Sequence, residues 1–194
     1  MVKEPPAHDL PLVERTLKGD LAAFEELVEN YRLDVYRVAA RIVGPDEADD
    51  VTQDAFLRAF HKLDTFRGES FRAWLLRITH NRALNVVARR NPEPVDPVDQ
   101  HEGREAEGPP RQDPARSLED SERRDRLASK LEQLRPAHRS VLVLRDLEGF
   151  TYEEIAEITD SPLGSVKGRL HRAREELIEI LRRNSYDWEL PNEH

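Results

Sequence analysis

The chain has no cysteine, one methionine, and aromatic residues at only 6% of its 194 positions. Without thiols it forms no disulfide framework and no thiolate metal site, and its seven histidines are scattered without ligand spacing. No metal or cofactor is therefore expected. No apolar run approaches the ~18 residues needed to span a bilayer, which argues against membrane insertion. The start, Met1, Val2, Lys3, Glu4, Pro5, lacks the basic flank and apolar segment of an export signal, so a cytoplasmic location is expected. The eight glycines form no phosphate-cradling loop. A hydrolase or transferase thus has no support, and the chain reads as no enzyme.

What is present is charge, at 36% of residues with a net of −9, which at first sight opposes nucleic-acid binding. Its distribution removes the conflict. From Arg67 to Arg90 there are six arginines against the single acid Glu69, whereas from Asp46 to Asp64 acids outnumber bases. Residues 91–122 hold ten acids, three arginines and six of the thirteen prolines, a composition that cannot bury a core. The simplest organisation is all-α, with two small helical domains joined by a flexible, acidic, proline-rich linker. Its segments are an N-terminal segment 1–20, a helical bundle 21–90, the linker 91–122, a second helical domain 123–183 and a tail 184–194.

The second domain carries the sharpest signals. Pro136 suits a first helical position, Val141, Leu142, Leu144 and Leu147 make an apolar stripe, and Gly149 suits a left-handed helix end. Thr151 with Glu154 three residues on is a capping box, and Ile155, Ala156 and Ile158 give the next short helix a buried side. Asp160, Ser161 and Pro162 then make a turn. In the following helix Val166, Leu170, Ala173, Leu177 and Ile180 share one face at ~100° per residue. Gly164, Gly168, His171 and Arg172 then point away from the core, with Lys167 and Arg174 on the flank and Arg169 near the edge. This is the layout of a helix-turn-helix reader of a DNA major groove, where arginine and lysine donate to guanine or phosphate. A solvated basic face is the plainer alternative.

In the first domain, Asp20 caps a helix with apolar residues from Leu21 through Phe24, Leu27, Val28, Tyr31, Val35 and Val38 to Ile42, ended by Gly44 and Pro45. A helix from about Asp46 to Leu63 places Val51, Ala55 and Ala59 on one side, with Phe56 and Phe60 beside them. A third starts near Ser70 and carries Phe71, Trp74, Leu75 and Ile78 inward. Between these two lies LDTFRGES, where Phe66 and Gly68 flank Arg67, with Arg72 and Arg77 following. Aromatics among arginines suit single-stranded DNA, because bases stack on rings while guanidiniums hold phosphates. Helical spacing favours core positions for Phe71 and Trp74, while Phe66, in the loop, is the better candidate for a base. Asn81 lies at the edge of the apolar arc.

The string RSVLVLRDLEGFTYEEIAEITDSPLGSVKGRLHRAREEL strongly resembles region 4 of extracytoplasmic-function sigma factors, the bacterial promoter-specificity subunits, and residues 21–90 resemble region 2. The resemblance implies core RNA polymerase as partner, through the β′ clamp helices and the β flap, and promoter DNA as target. It assigns the double-stranded −35 element to Ser165, Lys167, Gly168, Arg169, His171 and Arg172. It assigns the single-stranded −10 element to Phe66, Arg67, Gly68, Ser70, Arg72, Trp74, Arg77 and Asn81. EADDVTQDAFLRAF resembles the polymerase-docking segment, with Asp50, Gln53, Asp54, Leu57 and Arg58 at matching positions. An anti-sigma factor and a stress or envelope response are further implications.

Two rivals make different predictions. A stand-alone dimeric helix-turn-helix regulator would protect a palindrome without polymerase. A protein-binding helical adaptor would show no promoter-specific binding at all.

Overall fold

The computed structural model describes residues 9–67, 70–90 and 126–183, so expectations for the linker 91–122, the tail 184–194 and Gly68 lie outside the described residues. Helix α1 (Asp9–Leu17) precedes α2 (Leu21–Val43), α3 (Pro45–His61), a 3-10 turn (Leu63–Thr65) and α4 (Phe71–Arg90). After residues 126–131 (α5) come α6 (Pro136–Leu142), which runs on into a π-helical turn (Val143–Leu147), then α7 (Tyr152–Thr159) and α8 (Leu163–Arg183). Among the described residues there is no strand. The fold is all-α, with two helical domains, and no described helix is long and apolar enough to cross a membrane.

The caps explain where the helices of the first domain stop. Asp20 Oδ1 accepts from the Ala23 amide at 3.3 Å, filling one of the donors a helix start leaves open. Gly44, at φ 93°, ends α2 in a conformation that favours glycine and hands over to Pro45 at the first turn of α3. Leu27, Val35, Val38, Ile42, Val51, Leu75 and Leu76 are all at most 1% exposed and form the bundle core. Phe71 is the large ring at its end, with Tyr31 5.5 Å away.

Leu21 is 61% exposed, because a first-turn residue overhangs the end of the bundle. In the N-terminal segment α1 packs Leu12 and Val13 onto α2, and the Tyr31 hydroxyl donates to Asp9 at 2.5 Å. Pro11 and a length of nine residues hide this helix, whose stability comes from packing rather than propensity.

In the second domain Thr151 Oγ1 accepts from the Glu154 amide at 3.2 Å, and the Thr151 amide donates to Glu154 Oε2 at 2.7 Å, the two halves of a capping box. Gly149 has φ 72° and Asp160 φ 51°, so both expected turn positions are left-handed. The π turn shows in the Glu148 amide bonding the Val143 carbonyl at 2.9 Å. Val141, Leu142, Val143 and Leu144 are each at most 3% exposed. Four consecutive residues cannot share one helix face. They are all buried because α6 is covered on two sides, by α8 of its own domain and by α2 and α4 of the other.

The two domains are thus docked as well as joined. Helix α4 lies along α7, and the end of α2 lies against α6. Arg139 of α6, 6% exposed, donates to the Ile42 carbonyl at 2.6 Å, while Arg90 donates to the Val43 carbonyl at 3.1 Å. Both carbonyls are among the orphan acceptors at a helix C-terminus, where cations are favoured. Arg41 pairs with Glu148 across the same seam.

Candidate nucleic-acid and polymerase interfaces

Ser70 starts α4 by accepting the Ala73 amide on Oγ at 3.2 Å and the Trp74 amide on its carbonyl at 3.0 Å. That cap fixes where the first turn of α4 meets the loop before it. Phe66 then stands edge-on to Phe71 at 5.7 Å and 85°, and 5.6 Å from Trp74. Phe71 is core, as spacing predicted, but Trp74 is only partly buried and faces a cavity. The cavity, about 420 Å³, is walled by Phe66 and Trp74, with Arg67, Ser70 and Arg77 at its margin and Glu157 and Asp160 of the second domain closing it. Rings beside guanidiniums are what an unpaired base and its phosphates require. Asn81 is exposed further along the same helix.

Arg72 is held differently. Its Nε donates to Asp34 Oδ2 at 2.8 Å, and its guanidinium lies 4.2 Å above the Phe150 ring of the other domain. Burial would raise the Asp34 carboxyl, but Arg72 and Arg37 outweigh it and hold the group below the usual carboxylate range. Arg77 reaches across to Asp160 at 2.7 Å.

Between α2 and α3, Phe24 and Val28 of the first and Gln53, Phe56, Leu57 and Phe60 of the second line an apolar groove of about 630 Å³. Phe24 and Phe60 meet edge-on at 4.9 Å and 63°. Leu57 is 55% exposed on the groove, and Asp50 and Gln53 are exposed on the same helix. Asp54 sits apart from these in role, accepting Arg58 Nε at 2.9 Å and pairing with Arg82 of α4. It ties α3 to α4 as much as it marks a surface.

Helix α8 keeps Val166, Leu170, Ala173 and Ile180 in the core, as the spacing predicted, with Leu177 packed partly beside them. His171 is exposed, and Glu175 lies 3.5 Å from its Nε2. Lys167 stands 5.4 Å from the centre of the Tyr152 ring, whose surface Arg145 also covers at 4.5 Å. Arg174, on the flank, forks onto both oxygens of Asp146 at 2.6 and 3.0 Å and clamps α8 to the π turn. Arg169 Nη1 lies 3.5 Å from Ser161 Oγ.

Gly168 departs from its expected outward place and is buried, and Ser165 is 7% exposed. A residue without a side chain takes its exposure from what lies over its backbone. Arg172 folds back to donate to the Gly168 carbonyl at 3.3 Å.

Sequence reasoning missed a buried polar set on α4. His80 is 3% exposed and sits 3.2 Å from Ser140 Oγ of α6. Burial first, and the charge of Arg169 with it, push the imidazole down to about 4. The signal was a second stripe, Ala73, Leu76, His80, Ala83 and Val87, at helical spacing on a helix already assigned one buried face. Asp34 was missed as well. It falls between Tyr31 and Val38 on the buried stripe of α2, where a carboxylate requires a cation. Among the described residues no group of acids and histidines could hold a metal ion.

Two family models match the chain, described as Sigma-70 region 2 over residues 27–93 and Sigma-70, region 4 over residues 124–177. The ECF RNA polymerase sigma-E factor of Escherichia coli (strain K12) is 40% identical over 173 residues, covering 86% of this chain and 91% of the relative. The protein of the same name from Haemophilus influenzae is 36% identical over 178 residues, covering 86% and 92%. Among solved structures, CnrH in complex with the cytosolic domain of CnrY matches with a TM-score of 0.66 at 27% identity, covering 91% of this chain and 98% of that one. The sigma factor RpoE in complex with the anti-sigma factor NepR, from Bartonella quintana, gives 0.58 at 26% identity, covering 82% and 96%.

Proposed function

We propose a division of labour among the surfaces of this chain, which belongs to the ECF sigma factors of RNA polymerase and so directs the polymerase to its promoters. The cavity between Phe66 and Trp74 takes a base extruded from the non-template strand of the −10 element. Arg67 and Arg77 sit at its margin to hold phosphates, and Asn81 extends the strand path along α4. The outward residues of α8, His171 and Arg172 with Lys167 and Arg169 beside them, read the −35 duplex. The groove between α2 and α3, with Leu57 and Gln53 on its rim and Asp50 nearby, seats the β′ clamp helices, while the second domain meets the β flap.

The observation that carries this reading is the aromatic-walled cavity of about 420 Å³ edged by arginines. Capturing an unstacked base offsets the few kcal/mol of local unpairing, so binding becomes strand opening. The chain supplies position and strand separation, and the polymerase supplies the chemistry, in the cytoplasm. An anti-sigma factor is the fitting negative regulator, since CnrH and RpoE are each seen bound to a partner, in RpoE's case named an anti-sigma factor.

The test is run-off transcription with purified core polymerase. Asn81→Ala and Trp74→Ala are expected to bind core normally and open duplex promoter slowly, with a pre-melted bubble restoring initiation. Failure of the bubble to rescue either variant would refute the strand-capture assignment.

A further inference from the structure

The region 2 match begins at residue 27, so helix α1 lies ahead of it, and none of the surfaces assigned to polymerase or DNA falls on this helix. Its packing nevertheless reaches the base cavity by two routes. The first runs through α2. Asp9 accepts the Tyr31 hydroxyl at 2.5 Å, and the Tyr31 ring stands 5.5 Å from Phe71, against which Phe66 and Trp74 rest at 5.7 and 5.6 Å. Burial first, and then the bond to Asp9, hold the Tyr31 hydroxyl above its ordinary value of 10, so it keeps its proton and remains the donor. The second route runs through the 3-10 turn. Helix α1 lies against Leu63–Thr65, and the Phe66 amide donates to the Leu63 carbonyl at 3.1 Å. One helix thus bears on the ring behind the cavity and on the turn that carries one of its walls.

We propose that α1 buttresses the base cavity, and that Asp9 and Tyr31 are positioning residues for strand capture: their hydrogen bond sets where Phe71 stands, and hence the gap between Phe66 and Trp74. This rests on the assignment of that cavity to single-stranded DNA. Neither residue touches the strand, since both are buried, at 5% and 3% exposed. Ring contacts alone would hold the gap loosely, because aromatic pairs are favourable over centroid distances of about 4.5–7 Å and a range of tilts. A hydrogen bond is short-ranged and directional, and a buried hydroxyl that loses its partner is left with the full cost of desolvation. Tyr31 is therefore pinned at both ends, by Asp9 at the hydroxyl and by Phe71 at the ring. Rings held in place before a base arrives lose no affinity to being ordered by it, and a gap that cannot adapt rejects bases of the wrong shape. The consequence is base selectivity as well as stability.

The test uses the full chain with core polymerase and promoter templates carrying a pre-melted bubble, in which each −10 position of the non-template strand holds each base in turn. Competition between templates reads the selectivity, the ratio of affinities for the preferred base and the others. Tyr31→Phe keeps the ring and loses the hydroxyl, and Asp9→Ala removes the acceptor. Each is expected to cut selectivity at one −10 position about tenfold and to slow opening of the duplex promoter by a similar factor, with binding to core unchanged. Combining them is expected to do no more than either alone, as for two residues that act as one unit. Asp9→Asn, whose amide oxygen still accepts from the hydroxyl, is expected to keep selectivity within about twofold of the parent. A helix serving stability alone would lower the fraction of active protein and leave the ratio between bases unmoved. If Tyr31→Phe and Asp9→Ala fold by circular dichroism and keep the parent's ratio while Trp74→Ala loses it, the cavity reads the strand and α1 does not position it. If Trp74→Ala keeps the ratio as well, the cavity is not the strand site, and the −10 assignment fails together with the buttress.

Discussion

His80 makes the seam between the domains sensitive to acid. Its imidazole lies 3.2 Å from Ser140 Oγ on α6, beside Asn81 on its own helix, and feels Arg169 of α8. Ser140 donates its own hydroxyl proton to the Ala137 carbonyl at 3.1 Å, so neutral His80 donates from Nε2. A proton on the second nitrogen would be a buried charge close to an arginine. The folded group therefore titrates at about 4, against 6.5 when exposed. The sign follows: below pH ~6.5 the unfolded or opened chain gains a proton that the closed chain refuses, so stability falls as pH falls and levels off below about 4. At ~1.4 kcal/mol per tenfold change in proton affinity, the full loss is ~3 kcal/mol, of which roughly 2 has appeared by pH ~5. Asp34 acts in a lower window, below its ordinary value of 3.8, and does not confuse the measurement. Urea unfolding at about pH 7.5 and about pH 5, on parent and His80→Leu, reads the difference. The variant should lack this part of the slope, and the imidazole resonance of the parent should stay neutral down to about pH 5. Equal slopes in the two chains would refute the assignment of the acid sensitivity to this buried ring.

Three further outcomes are expected. Phe71→Ala removes the ring on which Tyr31, Phe66 and Trp74 rest, and should lower unfolding free energy by ~3–5 kcal/mol in denaturant melts. Leu57→Asp, at a 55% exposed position, should change stability by less than ~0.5 kcal/mol while weakening association with core polymerase at least about tenfold in pull-down titration. Arg172→Ala should cost about 1–3 kcal/mol of promoter affinity and relax selection at one −35 position, read by sequencing starts from a promoter library. A drop in salt dependence with selectivity unchanged would make Arg172 a phosphate contact instead.

Much of this was legible from local rules. Thr151 with Glu154, Pro136, Gly149 and Asp20 each state a helix boundary through chemistry that acts within a few residues, and the structure places each where that chemistry requires. The apolar stripe of α8 was legible for the same reason. What escaped depends on the second domain. Helix α4 has two buried faces, and only one of them packs within its own bundle. The polar residue of the other, His80 at 3% exposed, reads as ordinary helix surface until α6 is laid over it. Arg139 is a similar case. An arginine at that position predicts solvent, and its burial follows from a partner 97 residues earlier, the carbonyl of Ile42. Helical spacing alone places Trp74 in the core, because periodicity counts which face a residue is on, not whether a cavity opens there.

The composition of the seam bears on why it can open at all. A permanent interface between helices is dominated by apolar contacts, and here one apolar cluster runs through both domains. Across the seam that packing is joined by polar partners, Arg139 with a helix-end carbonyl, Arg41 with Glu148, Arg72 with Phe150, and His80 with Ser140. Water can satisfy every one of those polar groups once the domains part, but separation also uncovers apolar residues of α6 and the turn after it, Val141 to Leu144, which α2 and α4 help to bury. The same groups are costly to leave half-paired in the closed form, since a buried arginine or imidazole without its partner loses solvation with nothing in return. A wedge at Ser140, 1% exposed on α6 and in contact with His80, is therefore expected to weaken the docking, read as faster amide exchange along α4 and α6 than in the parent.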